Sequence, residues 1–300
     1  MLKAVILAAG LGTRLVPYSK EMPKEMLPIL VREGGELVLK PILQEVFEQL
    51  YDAGVREFCF VVGRGKRAVE DHFTPDWNYV DMLEKREKRK QAEMLRRFYE
   101  KVERTTIFWV NQPVPKGTGD AVYKAKSFVG DDFFFVAAGD NLFLGENVPV
   151  KLLDLHRRYG SPVLTVKRVD DPRRYGVVEG DRVGERIIRV CRIVEKPKGE
   201  PPSNLANTSL YLFPPDIMDA IERTEPSPER GEIEITESIQ LLLDSGRVFY
   251  AYEPEALWVD VGTPRTYLEA LLCSLKNSLE GLRMSATELV SLLDLVRRLV

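Results

Sequence analysis

The sequence has few of the residues that many catalytic and structural sites need. Of its 300 residues only two are histidines, His72 and His156, and three are cysteines. Neither histidine has a second ligand at metal-binding spacing, which argues against a zinc site or a histidine-based catalyst. Cys59, Cys191 and Cys273 lie far apart in apolar patterns. We therefore expect reduced thiols in a cytoplasmic protein rather than a disulfide framework.

A long apolar run and a large net charge are also absent. No apolar run approaches the roughly 20 residues that a membrane-spanning helix needs, and we expect no signal peptide before the first strand. The formal charge of −3 at pH 7 gives no general reason to expect nucleic acid or a membrane as partner. With 44% hydrophobic residues, the chain is expected to fill one large core or two modest ones.

Apolar segments of strand length alternate with segments whose apolar residues have helical spacing. The strand-like segments are 4–9, 57–62, 106–110, 133–138 and 163–166. A helix is predicted over 39–52, with Leu39 at the start of its apolar face. This alternation predicts a Rossmann-like, mostly parallel α/β sheet flanked by helices. After residue 170, the segments 177–183 and 187–194 predict an added β ribbon.

A glycine loop with cations beyond it follows the first strand-like segment. It contains Gly10 and Gly12, and the chain continues to Arg14, Lys20 and Lys24. Exposed backbone N–H groups with three cations nearby suit a triphosphate. A glycine turn between a strand and a helix is the alternative, but it leaves the cations unexplained.

Two better-known phosphate-binding motifs do not fit the sequence. Leu15 stands where the dinucleotide fingerprint has its third glycine. The segment 63–66 lacks the hydroxyl residue that ends a P-loop. A Rossmann dehydrogenase and a P-loop enzyme are therefore disfavoured.

The runs LAAGLGTR and PKEMLP resemble the signature of sugar-1-phosphate nucleotidyltransferases, and PKEMLP in particular resembles the bacterial-type UTP–glucose-1-phosphate uridylyltransferases. The resemblance covers about residues 1–275. It implies the nucleotide-diphospho-sugar transferase type of fold, with a nucleotide-binding part over about 1–145 and a sugar-binding part over about 146–275. It also implies transfer of a uridylyl group from UTP to glucose 1-phosphate, with Mg²⁺ as cofactor and UDP-glucose and pyrophosphate as products.

The resemblance places the nucleotide in two loops. Arg14 and Lys24 are expected to be catalytic cations on the phosphates. The other nucleotide contacts are expected at Ala8, Ala9, Gly10, Gly12, Thr13, Glu25, Gln112 and Gly117. Gln112 has both a donor and an acceptor, as a pyrimidine edge requires, and Gly117 allows close backbone approach. A plain glycine loop before a helix at 119–128 is the alternative.

The choice of nucleobase stays open at this point. Thymine and uracil share one hydrogen-bonding edge and differ by a methyl group, which a pocket distinguishes by only about 1–3 kcal/mol. The segment 72–86 resembles an insertion that separates the uridylyltransferases from the shorter thymidylyltransferases. It favours UTP over dTTP, and a glucose-1-phosphate thymidylyltransferase remains the alternative.

Two aspartates are candidate metal ligands. Asp140 follows the apolar segment 133–138, between Gly139 and Asn141, and a carboxylate at such a strand end suits Mg²⁺ against phosphate oxygens. A capping Asp in a turn is the alternative. The resemblance assigns Asp140 to the metal and to catalysis, and it adds Asp260 as a second ligand. An N-terminal cap of the following helix is the alternative for Asp260.

The resemblance also assigns the sugar phosphate to motifs that bracket the ribbon. Lys196 is expected to bind the phosphate as a further catalytic cation, Glu195 a sugar hydroxyl, and the backbone N–H of Gly176 another. Asn207 is expected near the sugar. Solvated ribbon charges and a turn-stabilising Asn are the alternatives. The motif at 231–237 is assigned no chemistry.

Residues 81–104 carry nine Lys/Arg and six Asp/Glu, which could indicate nucleic-acid binding. The acids are interleaved with the bases, however, and aromatics spaced for stacking are missing. Leu95, Phe98 and Val102 form a one-sided stripe. A solvated helix docked by its C-terminal half is therefore favoured.

The C-terminal segment 276–300 is predicted to be helical. It has an apolar stripe formed by Leu289, Leu292, Leu293, Val296 and Leu299. The stripe predicts a homo-oligomer, a dimer or tetramer, and packing on its own core is the alternative. A regulatory protein that binds nucleotide sugars without catalysis is a further alternative. Such a protein would be expected to lose Arg14, Lys24 or Asp140, and all three are present.

Overall fold

The structure is a computed structural model, and it describes residues 1–279. The strands are β1 (Lys3–Ala8), β2 (Pro28–Glu33), β3 (Glu36–Pro41), β4 (Glu57–Val62), β5 (Thr106–Asn111), β6 (Phe134–Ala138), β7 (Asn141–Leu144), β8 (Val163–Arg168), β9 (Gly176–Gly184), β10 (Ile187–Glu195), β11 (Leu205–Phe213), β12 (Tyr250–Tyr252) and β13 (Leu257–Asp260). The helices are α1 (Ile42–Asp52), α2 (Arg67–His72), α3 (Trp77–Lys85), α4 (Arg89–Glu103), α5 (Thr118–Tyr123), α6 (Lys126–Val129), α7 (Val148–Tyr159), α8 (Ile217–Arg223), α9 (Ile235–Asp244) and α10 (Pro264–Leu279).

One nine-stranded sheet forms the centre of the fold. Its strand order is β5-β4-β1-β6-β11-β8-β12-β10-β9. Strands β10 and β11 run against the other seven, so the predicted mostly parallel α/β sheet is confirmed. The predicted ribbon is the antiparallel pair β9–β10. Strands β2 and β3, and likewise β7 and β13, form small separate pairs.

Hydrophobic cores cover both faces of this sheet. Along β1, Ala4 and Ile6 face one core, while Val5 between them faces the other. A parallel strand that is buried on both faces needs apolar residues at successive positions, which explains its unbroken apolar sequence. The first core is built around Phe47, whose ring lies 4.5 Å from that of Phe58 between centroids.

Two helix predictions need correction. The helix predicted over 39–52 begins at Ile42, and Leu39 lies in β3 with 67% of its surface exposed. Pro41 disfavours helical backbone at the residue before it, so the helix starts after the proline. The single helix predicted within 81–104 is divided between α3 and α4, with Glu87 at φ 59 between them. Phe98 is buried, as the stripe in that segment predicts.

The sheet brings the loops of interest to one edge. Strands β1, β4, β5 and β6 are parallel neighbours, so the residues that follow them lie side by side. The backbone N–H of Gly139 donates to Leu7 at 2.9 Å, and that of Gln112 donates to Val62 at 2.8 Å. The carboxyl edge of the first half therefore collects the glycine loop, the loop after β5 and Asp140.

Within residues 1–279, no helix is long and apolar enough to cross a bilayer. The stripe from Leu289 to Leu299 lies outside the described residues. The division into nucleotide-binding and sugar-binding parts near residue 145 stays a prediction, and strands from both parts share the central sheet.

Candidate active site

A cleft of about 570 Å³ opens at the carboxyl edge of the sheet. Many of the predicted site residues line it: Ala9, Gly10, Gly12, Thr13, Arg14, Lys24, Glu25, Gln112, Gly117, Asp140 and Lys196. Four others adjoin the lining without forming it: Ala8, Glu195, Asn207 and Asp260. Gly176 lies behind Glu195, since a Cβ on it would be 3.2 Å from that carboxylate. The structure thus gathers nearly the whole predicted set around one cleft.

The glycine loop packs closely on the residues that follow it. Gly12 has φ 62, a left-handed conformation that favours glycine, and its carbonyl accepts a hydrogen bond from the Ser19 hydroxyl at 2.7 Å. A Cβ on Gly10 would lie 3.4 Å from the Lys24 side chain. Lys20, by contrast, is exposed, pairs with Glu21 at 3.3 Å and lines a neighbouring cavity rather than the cleft.

Lys24 and Asp140 form an ion pair in the cleft through Nζ and Oδ2. Burial alone would lower the pKa of Lys24, but the carboxylates of Asp140 and Glu25 raise it above its ordinary value. Lys24 is therefore a fixed positive charge. It lies in the cleft in direct contact with Asp140.

Asp260 lies beside Asp140 because of the pairing of β13 with β7. Asp260 stands opposite Asn141 in this pair, and the N–H of Val261 donates to the Asp140 carbonyl at 3.1 Å. Burial and the charge of Asp140 together raise the pKa of Asp260 to about 6, although Lys24 and Arg14 oppose the shift. The Arg14 guanidinium reaches the same corner, since a Cβ on Gly262 would lie 2.8 Å from it.

The Asp140–Asp260 pair fits a magnesium ion. The pKa of Asp260 stays raised beside Asp140 even though Lys24 and Arg14 lower it, so a further cation between the two carboxylates would be stabilising. Within the described part of the chain, no group of three or more His, Cys, Asp or Glu side chains is placed to hold a metal. Magnesium commonly takes one or two protein carboxylates and completes its shell with water and substrate phosphates, so two suffice.

The loop after β5 differs from the expectation in two details. Both hydrogens of the Gln112 amide are engaged inside the protein, at 2.7 Å from Asp120 and 3.3 Å from the Gly117 carbonyl. Only Oε1 is left for a base, so the expected pairing with a donor and an acceptor is corrected to an acceptor alone. At Gly117, φ is 102 and a Cβ would lie 2.4 Å from the Ile233 carbonyl. The close approach that requires this glycine is made by the chain itself.

Lys196 lines another part of the cleft, and further charged side chains surround it. Glu195 contacts Lys196 at 3.1 Å and accepts a hydrogen bond from the Thr236 hydroxyl at 2.8 Å. Lys196 has φ 38, an unusual backbone for a lysine, and its N–H donates to the Tyr175 carbonyl at 3.0 Å. A Cβ on Gly176 would lie 2.9 Å from the Thr236 hydroxyl. The predicted sugar-phosphate residues Gly176, Glu195 and Lys196 therefore form one cluster.

Asn207 has its polar atoms engaged within β11. Its amide donates to the Tyr211 hydroxyl at 2.7 Å, and its Oδ1 accepts from the Ser209 N–H at 3.2 Å. Ser209 has φ 59, at an irregular point in the pairing of β11 with β8. The contacts shown for Asn207 are those of the alternative role, in which it stabilises the irregular strand. Tyr211 and Ser209 line the cleft in front of it.

Three charged residues at or beside the cleft were not predicted to act there. Lys66, which is buried, pairs with Glu25 at 2.8 Å. Arg230 contacts Glu234 at 3.0 Å and Glu195 at 3.7 Å. Burial and Glu195 raise the pKa of Glu234. Of these three, only Glu234 lies in a segment that the sequence singles out, the family motif at 231–237.

Comparison with known proteins identifies the family. The family model described as nucleotidyl transferase matches residues 3–277. The chain belongs to the nucleotidyl transferase family. It is 37% identical over 275 residues to the UTP–glucose-1-phosphate uridylyltransferase of Bacillus subtilis (strain 168), an alignment that covers 90% of this chain and 89% of that one.

Solved structures of other nucleotidyl transferases have the same fold. The UTP-bound UGPase from Acinetobacter baumannii superposes with a TM-score of 0.81 at 30% identity and covers 98% of both chains. A UDP-glucose pyrophosphorylase complexed with UDP-glucose gives a TM-score of 0.79 at 28% identity, covering 92% of this chain and 99% of that one. The sequence resemblance to sugar-1-phosphate nucleotidyltransferases is thereby confirmed.

Proposed function

We propose that this nucleotidyl transferase transfers a uridylyl group from UTP to glucose 1-phosphate, releasing pyrophosphate and forming UDP-glucose. The proposal depends mainly on one observation: Arg14, Lys24, Asp140 and Asp260 come together at the carboxyl edge of the sheet. The names of the relatives support it: one is a UTP–glucose-1-phosphate uridylyltransferase, and the structural neighbours hold UTP or UDP-glucose.

The reaction needs charge neutralisation more than acid–base chemistry. An ionised phosphate oxygen of glucose 1-phosphate attacks the α-phosphorus of UTP, the bond from that phosphorus to the β-phosphate oxygen breaks, and pyrophosphate departs. Positioning and electrostatics supply most of the acceleration in such transfers. Arg14 and Lys24 are proposed to hold the nucleotide phosphates and the departing pyrophosphate. Lys196 is proposed to hold the phosphate of the sugar, with Glu195 and Gly176 beside it.

Magnesium is the cofactor we propose, held by Asp140 and Asp260. When bound, Mg²⁺ supplies positive charge to phosphate oxygens at the reacting centre. Ala8, Ala9, Gly10, Gly12 and Thr13 would surround the phosphates and ribose, while Gln112 and Gly117 would lie near the base. Glu25 would act beside Lys24, close to the phosphates. Because Gln112 offers only Oε1, it would accept a hydrogen bond from the uracil N3–H group.

We also propose a cytoplasmic homo-oligomer. Cys59, Cys191 and Cys273 are free thiols, which suits a reducing compartment. Burial raises the pKa of Cys59 to about 12, so this thiol stays protonated and unreactive. The support for self-association is the apolar stripe from Leu289 to Leu299 in the sequence.

Initial-rate measurements test the proposed reaction. Purified protein is mixed with UTP, glucose 1-phosphate and MgCl₂, and pyrophosphate and UDP-glucose are quantified together. The proposal predicts equal amounts of both products and a higher kcat/KM for UTP than for dTTP in direct competition. A preference for dTTP would make the protein a thymidylyltransferase, and pyrophosphate release without glucose 1-phosphate would exclude the proposed acceptor.

A further inference from the structure

A buried ion pair lies directly beneath the glycine loop. Lys66, which follows β4 and precedes α2, contacts Glu25 through Nζ and Oε2 at 2.8 Å. The exposed fractions of the two residues are only 6% and 1%. Charged residues are rarely buried to this extent unless they are paired, so each partner holds the other in place.

Glu25 connects this pair to the site described above. It lines the cleft, and its side chain packs so closely on Gly139 that a Cβ there would lie 3.2 Å from its Cγ. It also follows Lys24 in sequence, and its negative charge raises the pKa of that lysine. One buried carboxylate is therefore attracted by two lysines, of which Lys66 makes the direct hydrogen bond and Lys24 bonds Asp140 instead.

We propose that Lys66 is a positioning residue of the transfer reaction: by pairing with Glu25, it leaves the ammonium group of Lys24 free to face Asp140 and the phosphates. This inference rests on the proposed function. Without Lys66, the buried Glu25 carboxylate would lack its partner, and the other cation whose charge acts on it is Lys24. Lys24 would then be drawn towards Glu25, and its hold on phosphate would weaken.

The reverse reaction isolates this effect, because pyrophosphate has no base and no sugar. Lys66→Met removes the charge at nearly constant volume, and Lys66→Arg retains it. Glu25→Gln/Lys66→Met replaces the ion pair by a neutral pair. Arg67→Met is the matched control, since it removes a neighbouring exposed cation that lies outside both the cleft and the Lys66 cavity. Thermal unfolding of each variant reports whether it is folded.

The proposal predicts a selective effect on pyrophosphate. Lys66→Met should raise the KM for pyrophosphate about tenfold or more, the effect of a weakened charge-assisted hydrogen bond. Its KM for glucose 1-phosphate in the forward direction should stay close to the wild-type value. Lys66→Arg and the neutral double variant should recover most of the loss, and Arg67→Met should match the wild type.

Three results would overturn the proposal. The first is a folded Lys66→Met variant with an unchanged KM for pyrophosphate. The second is a loss that affects both substrates equally, which indicates a purely structural role. The third is a loss that the additional Glu25→Gln change does not recover, which means that Lys66 binds phosphate itself, through the cavity of about 280 Å³ that it lines with Arg64 and Lys20.

If Lys66→Met fails to fold, Glu25→Gln is compared with the double variant instead. Their KM values for pyrophosphate should be equal, because Lys66 acts only through Glu25. A higher KM in the double variant would contradict the proposal. The wild-type assay distinguishes the two claims. Wild-type protein that does not consume UDP-glucose with pyrophosphate refutes the proposed function. If the wild type is active and one of the three results above is obtained with the variants, only the role of Lys66 is refuted.

Discussion

Asp260→Asn should make the metal-free protein more stable at neutral pH. In the native state, burial and Asp140 raise the pKa of Asp260 from 3.8 to about 6. In the unfolded chain the group titrates near its ordinary value. The native protein therefore binds more protons than the unfolded one between these two values, and the stability contributed by Asp260 falls as the pH rises through about 6.

The size of the effect follows from the shift. Each pKa unit corresponds to about 1.4 kcal/mol, so a shift of roughly two units makes the ionised group cost up to about 3 kcal/mol in free energy of unfolding. An asparagine has nearly the same shape and no charge. Asp260→Asn should therefore be more stable than the wild type by up to about 3 kcal/mol at pH 8, with the difference shrinking by about 1 kcal/mol between pH 6 and pH 5, because the native group is already half protonated at pH 6.

Urea unfolding at pH 5, 6, 7 and 8 in EDTA measures this difference. Magnesium should then stabilise the wild type at pH 8 more than it stabilises the variant, because it binds the native state through both carboxylates. A stability difference that is flat across this pH range, or a variant that is less stable at pH 8, would refute the reasoning about the Asp140–Asp260 pair.

The other predictions concern the cations, one glycine and the core. Lys24→Met should lower kcat by about two orders of magnitude or more in the pyrophosphate-release assay; near-normal turnover would remove Lys24 from the mechanism. Lys196→Ala should raise the KM for glucose 1-phosphate about tenfold or more and leave that for UTP unchanged; a rise for UTP alone would mean that the two sides of the cleft are misassigned. Gly117→Ala should lower the free energy of unfolding by at least about 2 kcal/mol through the contact with the Ile233 carbonyl, and more than Gly65→Ala, which meets only backbone strain. Phe47→Ala should cost about 3–5 kcal/mol in urea unfolding, because the ring is fully buried among aromatic neighbours; a smaller loss would mean that this core collapses around the gap.

The features that the sequence predicts well are those recorded in local patterns. Strand β1 and the residues after it follow from an unbroken apolar run that ends in glycine. Asp140 is predicted from the apolar strand before it, because the carboxyl ends of neighbouring parallel strands lie at the same edge of a sheet. Asp260 needed the family resemblance, since only the pairing of β13 with β7 brings it to Asp140.

The missed features depend on contacts between distant segments. Lys66 and Glu25 are 41 positions apart, and nothing near either residue indicates a partner. The hydrogens of Gln112 are occupied by Asp120 only because the loop folds back on itself. The spacing of Leu39 matches the helical period and so predicts a helix there, but Pro41 disfavours helical backbone at the residue before it, and the helix begins at Ile42. Periodicity locates elements, but it does not determine which side chains already have partners.

We propose above all that the cations of the first thirty residues and Asp140 meet on one nucleotide through a divalent ion. A crystal structure of the protein with UTP and Mg²⁺ tests it most directly. We predict the triphosphate between Arg14 and Lys24, with Mg²⁺ bound to Asp140 and Asp260 and the uracil beside Gln112. A triphosphate in the separate cavity beside Arg64, or a metal ion that binds neither aspartate, would contradict the account.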